Sequence, residues 1–134
     1  MRACHELKIR VVPLVGASSI LLTVMASGLC GQRFRFLGYL PIEKTQKTEA
    51  LRNAYRASLN DETQLAIETP HRNERTFEDI IAALPESALL TVAQDITGAN
   101  EWIQTATIAD WKKRQVTLKK VPTVFAFKAA LEAR

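Results

Sequence analysis

The most apolar part of the chain is one run near its start, residues 11–31 (VVPLVGASSILLTVMASGLCG). Such a run restricts the chain to a signal peptide, a membrane span, or buried elements of a water-soluble fold. Glu6 interrupts the basic start that a secretory signal needs. Pro13 and Gly16 break the run, which reaches the ~20 residues of a membrane span only if small and polar residues are counted. We therefore expect no membrane segment and a cytoplasmic protein.

The same run is better explained as a strand, a turn and a helix. Residues 9–15 (IRVVPLV) are short and rich in β-branched residues, which predicts a buried strand. Residues 16–19 (GASS) form a turn that ends in good helix caps, and residues 19–27 (SILLTVMAS) have the composition of a buried helix that Gly28 terminates. In α/β folds a ligand often binds at such a turn, where backbone N–H groups are free. The alternative, that Gly16 only permits a sharp bend, stays open.

The rest of the chain alternates strand and helix patterns. The pattern predicts strands at residues 33–41, up to Ile67, and at 88–97, 101–108 and 122–130. It predicts helices at 43–59 and at 74–84, with Asn73 as the cap of the latter, and a short helix or turn at 109–115. This alternation predicts an α/β fold in which a mixed sheet is flanked by helices. No repeat, linker or low-complexity segment divides the 134 residues, so we expect one domain.

Charge and cysteine content narrow the function classes only slightly. The net charge of +4 permits contact with nucleic acid without requiring it. Lys44, Lys47, Arg52 and Arg56 fall mostly off the apolar face of the helix predicted at 43–59, where they are either solvated or near a phosphate backbone. The two cysteines and two histidines have no metal-ligand spacing, so we expect no metal site.

Polar side chains cluster where two predicted strands end. Since the carboxyl ends of strands present ligand-binding groups in α/β sheets, both clusters are candidate site residues. A Glu–His–Arg group could perform acid–base chemistry, although a histidine after proline at a strand end is more often a surface or packing residue. The clusters are Glu68, Thr69, His71 and Arg72 after the first strand, and Gln94, Asp95 and Thr97 after the second.

Six segments in this order resemble one protein family. They are VVPLVGASSILLTVMASGL, FRFLGYLP, IETPHRN, AQDITGANE, TIADW and KKVPTVFAF, and together they cover nearly the whole chain. They resemble the tetrapyrrole methylase superfamily, and within it the branch of ribosomal RNA small subunit methyltransferase I. The resemblance implies an enzyme that uses S-adenosylmethionine to methylate a ribose 2′-hydroxyl in 16S rRNA.

The resemblance also implies a domain arrangement and a set of site residues. Members have two α/β domains with the cofactor between them, and residues 1–134 resemble the C-terminal domain alone, without the N-terminal domain and its GDPG-type loop. The isolated chain is therefore expected to be inactive or nearly so. By resemblance, the cofactor contacts Gly16, Ser18, Ser19, Ile67, Ala93 and Pro122. The substrate-side candidates are Glu68, His71, Arg72, Asp95 and Thr97, with no catalytic base assigned.

Two departures from the family pattern and two other hypotheses remain. Ala17 stands where the family usually has proline, and residues 119–122 (KKVP) replace its usual KGE. One alternative is a methyltransferase that acts on a tetrapyrrole, and another is a non-catalytic dimerisation or binding module. A basic rim of Lys44, Lys47, Arg72, Lys112 and Lys113 would favour RNA. Relatives in this family often pair, so a homodimer is expected.

Overall fold

Residues 1–131 of the chain are described by a computed structural model. They form five helices and five strands, and the strands join in one mixed sheet. In chain order these are α1 (Arg2–Glu6), α2 (Ser19–Ser27), β1 (Phe34–Tyr39), α3 (Lys44–Ser58), β2 (Thr63–Glu68), α4 (Asn73–Ala83), β3 (Leu89–Gln94), β4 (Trp102–Thr107), α5 (Ile108–Lys113) and β5 (Thr123–Lys128).

The strand order brings the predicted polar strand ends to one edge of the sheet. The order is β1-β2-β5-β3-β4, with β1 parallel to β2 and with β5 antiparallel to both β2 and β3. Thr123, which begins β5, lies opposite Glu68 on one side and Gln94 on the other. Gln94 in turn lies opposite Trp102, the first residue of β4. The ends of β1–β3 and the starts of β4 and β5 therefore meet.

Helices cover the two faces of the sheet unequally. On one face α3, α4 and α5 bury a large cluster that includes Leu51, Ile80 and Trp111. The indole N–H of Trp111 donates to the Leu90 carbonyl at 2.9 Å, which ties α5 to β3. On the other face, α2 is the only helix within residues 1–131 that packs against the sheet, through Val24 and a smaller cluster. Much of the apolar surface on that side is consequently left exposed.

The α/β class and all but one of the predicted elements are confirmed, whereas the strand predicted at residues 9–15 is wrong. That segment is neither helical nor paired, and Leu14 and Val15 are 89 % and 107 % exposed. β-branched residues favour a strand only where a neighbouring strand accepts the backbone hydrogen bonds, and an isolated strand is not stable in water. In the described part of the chain no strand pairs with this segment.

The helix predicted at residues 19–27 is present, but it is not buried all round. The Ser18 hydroxyl accepts the Leu21 N–H at 3.4 Å, and Gly28 adopts a left-handed conformation that ends the helix. Thr23 and Val24 face the sheet, while Met25 is 78 % exposed. In residues 1–131 no helix combines the length and apolar character needed to cross a membrane.

Candidate functional site

A cavity of about 290 Å³ opens at the edge where the strands end, on the α2 side of the sheet. We call it the strand-end cavity. Its walls come from the first residue of α2, the ends of β1, β2 and β3, the loop after β3, and the start of β5. It is lined by Ser19, Tyr39, Ile67, Glu68, Ala93, Asp95, Ile96, Pro122, Thr123 and Val124. The cavity is thus a mainly apolar slot with two carboxylates at its border.

Glu68 is a buried carboxylate held in a fixed orientation. Its Oε1 accepts from the backbone N–H of Thr69 at 2.7 Å and from Arg72 Nε at 3.1 Å, and its Oε2 accepts from the Thr76 hydroxyl at 2.9 Å. Burial alone would raise the pKa of Glu68, but these hydrogen bonds outweigh it and lower the pKa below its usual value. Glu68 is therefore an anion at neutral pH, and its donors leave it poorly suited to taking up a proton.

Asp95 lies in a strained loop that follows β3. Asp95 and Thr97 both have positive φ angles, 48° and 65°, which is rare for a β-branched residue such as Thr97. The Asp95 carboxylate accepts the Asn100 N–H at 2.9 Å, and the Glu101 carboxylate accepts the Thr97 N–H at 2.6 Å. A Cβ added at Gly98 would lie 2.3 Å from the Asp95 carboxylate. Glycine at position 98 therefore makes this placement of Asp95 sterically feasible.

Two buried amide side chains fix the segment that leads into β5. Asn73 Nδ2 donates to the carbonyls of Lys119 and Val121, at 2.6 and 3.2 Å. Gln94 Nε2 donates to the Lys119 carbonyl at 2.9 Å, and Gln94 Oε1 accepts the Lys119 N–H at 3.2 Å. Both amides also donate to the Thr123 hydroxyl. We call this arrangement the amide clamp, and it sets the position of one cavity wall.

The prediction that Asn73 caps α4 is corrected by this arrangement. The N-cap is Arg72, and Asn73 is the first helical residue, with its side chain turned into the interior. A buried amide side chain needs hydrogen-bond partners, and Asn73 finds them in the carbonyls of Lys119 and Val121. These bonds hold the side chain in the interior and not at the start of α4.

Four of the six predicted cofactor contacts, Ser19, Ile67, Ala93 and Pro122, line the strand-end cavity. Gly16 lies outside its lining in the exposed segment before α2, and Ser18 is the N-cap of α2.

Of the substrate-side candidates, Glu68 and Asp95 line the cavity, and Arg72 is paired with Glu68. His71 and Thr97 are exposed and lie outside the lining. The proposed Glu–His–Arg grouping is therefore reduced to a Glu68–Arg72 pair, and the low pKa of Glu68 argues against its use as a general base.

Sequence reasoning missed several residues at this end of the sheet. Tyr39, Ile96 and Thr123 line the cavity, and Gly98 and Asn73 shape its walls. Tyr39 lies near the end of the strand predicted at residues 33–41, and Gly98 lies in the quoted AQDITGANE segment, so both had a positional signal. Asn73 had none, because its partners are 46 to 50 residues away in sequence.

The basic rim expected for RNA contact loses one member. Lys47 is buried, and its ammonium group lies 2.9 Å from the Asp79 carboxylate and 3.3 Å from the Thr76 hydroxyl. The helical periodicity placed Lys47 off the apolar face of α3, but α4 packs beside α3 and covers it. Lys44, Lys112 and Lys113 are exposed. Among residues 1–131 no three His, Cys, Asp or Glu side chains converge as a metal site would require.

Comparison with solved structures defines the class of fold. The methyltransferase CobJ superposes with a TM-score of 0.59 at 18 % identity, over 99 % of this chain and 57 % of CobJ. A protein from Entamoeba histolytica assigned as a diphthine synthase gives a TM-score of 0.57 at 12 % identity, over 98 % of this chain and 59 % of its own. The α/β fold is therefore shared with a part of each of these longer proteins.

Comparison with curated proteins identifies the family. Ribosomal RNA small subunit methyltransferase I from Haemophilus influenzae is 34 % identical over 113 residues, which is 84 % of this chain and 39 % of the relative. The protein of that name from Escherichia coli O157:H7 is 32 % identical over 123 residues, 90 % of this chain and 42 % of the relative. No family model matches the chain. The chain belongs to the ribosomal RNA small subunit methyltransferase I family, and it spans about 40 % of the length of these relatives.

Proposed function

We propose that this chain forms the C-terminal domain of a two-domain S-adenosylmethionine-dependent methyltransferase that methylates a ribose 2′-hydroxyl in 16S rRNA. The observation that carries the proposal is the strand-end cavity, in which Ser19, Ile67, Ala93 and Pro122 converge. The names of the curated relatives support an RNA substrate over the tetrapyrrole alternative, since the likeness to CobJ is one of fold alone.

The lining of the cavity fits the chemistry of the proposed cofactor. Ile67, Ile96 and Val124 offer apolar surface for a flat ring, and the carboxylate of Asp95 lies at the border. A sulfonium cation is favoured near a negative charge, and such a ligand needs few polar contacts in an otherwise apolar slot. Bound S-adenosylmethionine would supply an electrophilic methyl group. The role of this chain would be to hold and orient its ligands, because methyl transfer depends chiefly on alignment.

The uncovered apolar surface supports a second domain. Leu7, Val12, Leu14 and Val15 are exposed in the segment before α2, and Phe36 is exposed on β1. Apolar side chains concentrated in this way mark interaction surfaces. We propose that the N-terminal domain of the enzyme covers part of this surface and completes the cofactor site.

A chimera tests the proposal. The part of the Haemophilus influenzae relative that this chain does not match would be fused ahead of this chain, and transfer of a radiolabelled methyl group to small ribosomal subunits would be measured. We expect activity from the chimera and little or none from the isolated chain. Methylation of rRNA by the isolated chain would contradict the two-domain proposal.

Paired variants locate the cofactor site within the chimera. Ile67 lines the cavity, whereas Ile103 is equally half-buried on the same face of the sheet and lies outside the lining. Ile67→Ala should weaken S-adenosylmethionine binding in calorimetry by about 10- to 150-fold, since burying one large aliphatic side chain is worth roughly 1.5–3 kcal/mol. Ile103→Ala should leave binding near wild type. Equal losses for the two variants would place the cofactor elsewhere.

RNA contact, pairing and location complete the proposal. Exposed Lys44, Lys112 and Lys113 are proposed to contact RNA phosphates, so replacing them with glutamate should weaken RNA binding and flatten its salt dependence. An unchanged salt dependence would remove these residues from the interface.

We also propose that the enzyme is a cytoplasmic homodimer, and sedimentation velocity would separate a monomer from a dimer.

A further inference from the structure

A second cavity lies at the same end of the sheet, at the first residue of β4. It has a volume of about 370 Å³. We call it the Trp102 cavity. It is lined by Gln94, Ala99, Asn100, Glu101, Trp102, Val116, Thr117 and Lys119. Trp102 and Gln94 belong to the α3–α5 side of the sheet, because the alternation along β3 places Leu90 and Val92 in the core on that side and Ala93 on the other.

The two cavities share a wall. Gln94 lines the Trp102 cavity, Thr123 lines the strand-end cavity, and the Gln94 amide donates to the Thr123 hydroxyl at 3.0 Å. The loop after β3 also passes between them, with Asp95 lining one cavity and Asn100 the other. A ligand in the Trp102 cavity would therefore be held next to a ligand in the strand-end cavity.

The Trp102 ring is a rigid platform. It packs edge-on against the buried Trp111 ring, with centroids 6.0 Å apart and an interplanar angle of 74°. Trp102 itself is only half-buried, so part of its ring borders the cavity. A fixed, partly exposed indole offers a stacking surface to any planar ring, with little side-chain entropy to lose.

The polar groups around the platform favour a nucleotide. Lys119 Nζ donates to Asn100 Oδ1 at 3.2 Å, and both side chains belong to exposed residues at the rim. An amide can pair with the edge of a base, and a lysine ammonium suits an adjoining phosphate. One oxygen of the Glu101 carboxylate, Oε2, accepts the Thr97 N–H at 2.6 Å. The polar groups assigned to the ligand are one amide and one cation.

We propose that the Trp102 cavity binds an unstacked nucleobase of the RNA substrate by stacking on Trp102, with Asn100 and Lys119 at the edge of the base. This assignment rests on the proposed rRNA function. It would anchor a nucleotide beside the reacting ribose, because the two cavities share the Gln94–Thr123 wall. Enzymes that act on single nucleotides commonly extrude a base and stack it on an aromatic side chain.

Intrinsic tryptophan fluorescence tests the site directly. The chain has two tryptophans, and Trp111 is 1 % exposed, so a change of emission on titration with RNA reports Trp102. The probe is a single-stranded RNA oligonucleotide of about ten nucleotides, within the usual range of single-strand site sizes. A second oligonucleotide of the same length carries ribose and phosphate but no bases. We expect the first to quench the emission and the abasic probe to leave it unchanged.

Substitutions then give the contribution of the platform. Trp102→Leu should weaken binding of the base-containing RNA about 5- to 150-fold, the range expected for one stacked base. Trp102→Phe should retain most of the affinity. Phe34→Leu removes an exposed aromatic side chain from β1, at the opposite edge of the sheet, and should change nothing. Far-UV circular dichroism checks that each variant folds, and Asn100→Ala, on an exposed loop, gives a second test that does not disturb the aromatic packing.

The outcomes separate this site from the wider function. RNA binding that is equally strong for the abasic probe, or unaffected by both Trp102→Leu and Asn100→Ala, would overturn the nucleobase site while leaving the rRNA proposal intact. Absence of any RNA binding by the wild-type chain and by the chimera would overturn both. Quenching by a free nucleoside at millimolar concentration, weakened in Asn100→Ala, would support a base pocket independent of phosphate contacts.

Discussion

Replacing Lys47 with methionine would remove the positive partner of a buried carboxylate. The side chains of Lys47 and Asp79 are 4 % and 9 % exposed, and their charged atoms are 2.9 Å apart. Methionine retains most of the apolar stem of lysine, so the variant loses the charge with little loss of packing. Removal of one member of a buried pair leaves an uncompensated charge and costs about 3–5 kcal/mol. That is a large share of the roughly 5–15 kcal/mol by which domains are usually stable.

A double-mutant cycle separates the cost of an orphaned charge from the value of the pair. Lys47→Met and Asp79→Leu should each lower the free energy of unfolding, which urea denaturation measures as a midpoint lower by about 1–3 M. The double variant should recover most of the loss, because a buried ion pair is often replaced by apolar residues at little or no cost. Lys113→Met is the control, since the Lys113–Asp110 pair is exposed and 3.8 Å apart and should contribute less than about 1 kcal/mol.

Two results would refute this reasoning. A loss of less than about 1 kcal/mol in Lys47→Met would mean that water reaches the Asp79 carboxylate. A double variant that is as unstable as the sum of the single variants would mean that the pair contributes through packing and not through charge. If Lys47→Met kept the stability of the wild type, Lys47 would also become a candidate for RNA contact again.

Three further predictions concern the cavity walls. Gly98→Ala should displace the Asp95 carboxylate, since the new Cβ would lie 2.3 Å from it, and should therefore weaken S-adenosylmethionine binding to the chimera. Gly31→Ala is the control: its Cβ would have an ordinary 3.6 Å contact, so binding should be unchanged. Thr97→Asn should raise the free energy of unfolding by about 1 kcal/mol, because asparagine tolerates the positive φ that strains threonine. A lower midpoint of urea denaturation in this variant would argue against strain at residue 97. Glu68→Gln should flatten the dependence of the free energy of unfolding on pH in the acid range. The pKa of Glu68 is lowered from 4.5 in the folded state, so its carboxylate stabilises the fold above that value and loses this contribution as the pH falls through the folded pKa. An unchanged slope between neutral pH and about pH 3 would contradict the assignment.

Local patterns predicted most of the elements because each carries its own start and stop signals. α2 is defined by Ser18 at its start and Gly28 at its end, and both act within a few residues in sequence. The exception, at residues 9–15, depended on a partner strand, which is a property of the whole sheet and not of the segment. β-branched composition therefore predicted an extended chain but not its pairing.

The same distinction explains which site residues were found. Residues at strand ends, such as Glu68 and Asp95, could be predicted because parallel strands bring their carboxyl ends to one edge, whereas Ile67 was predicted from the family resemblance. The burial of Lys47 could not, because it depends on the packing of α4 beside α3. Trp102 was noted only as a strand residue, since nothing local shows that the first residue of β4 borders a cavity.

The departure from the family pattern at residues 119–122 has a structural counterpart in the amide clamp. This segment replaces a glycine-containing sequence in the family pattern, and its carbonyls at Lys119 and Val121 are bonded by Asn73 and Gln94. Both amides are buried, so losing either would leave unpaired groups at a cost of about 1–3 kcal/mol each. Thr123, whose hydroxyl accepts from both amides, lines the strand-end cavity, so this segment and the two amides together set one wall of that cavity. The loop and the two amides therefore form one unit, and we expect that restoring the family's glycine sequence alone would destabilise the chain and not return it to the common pattern.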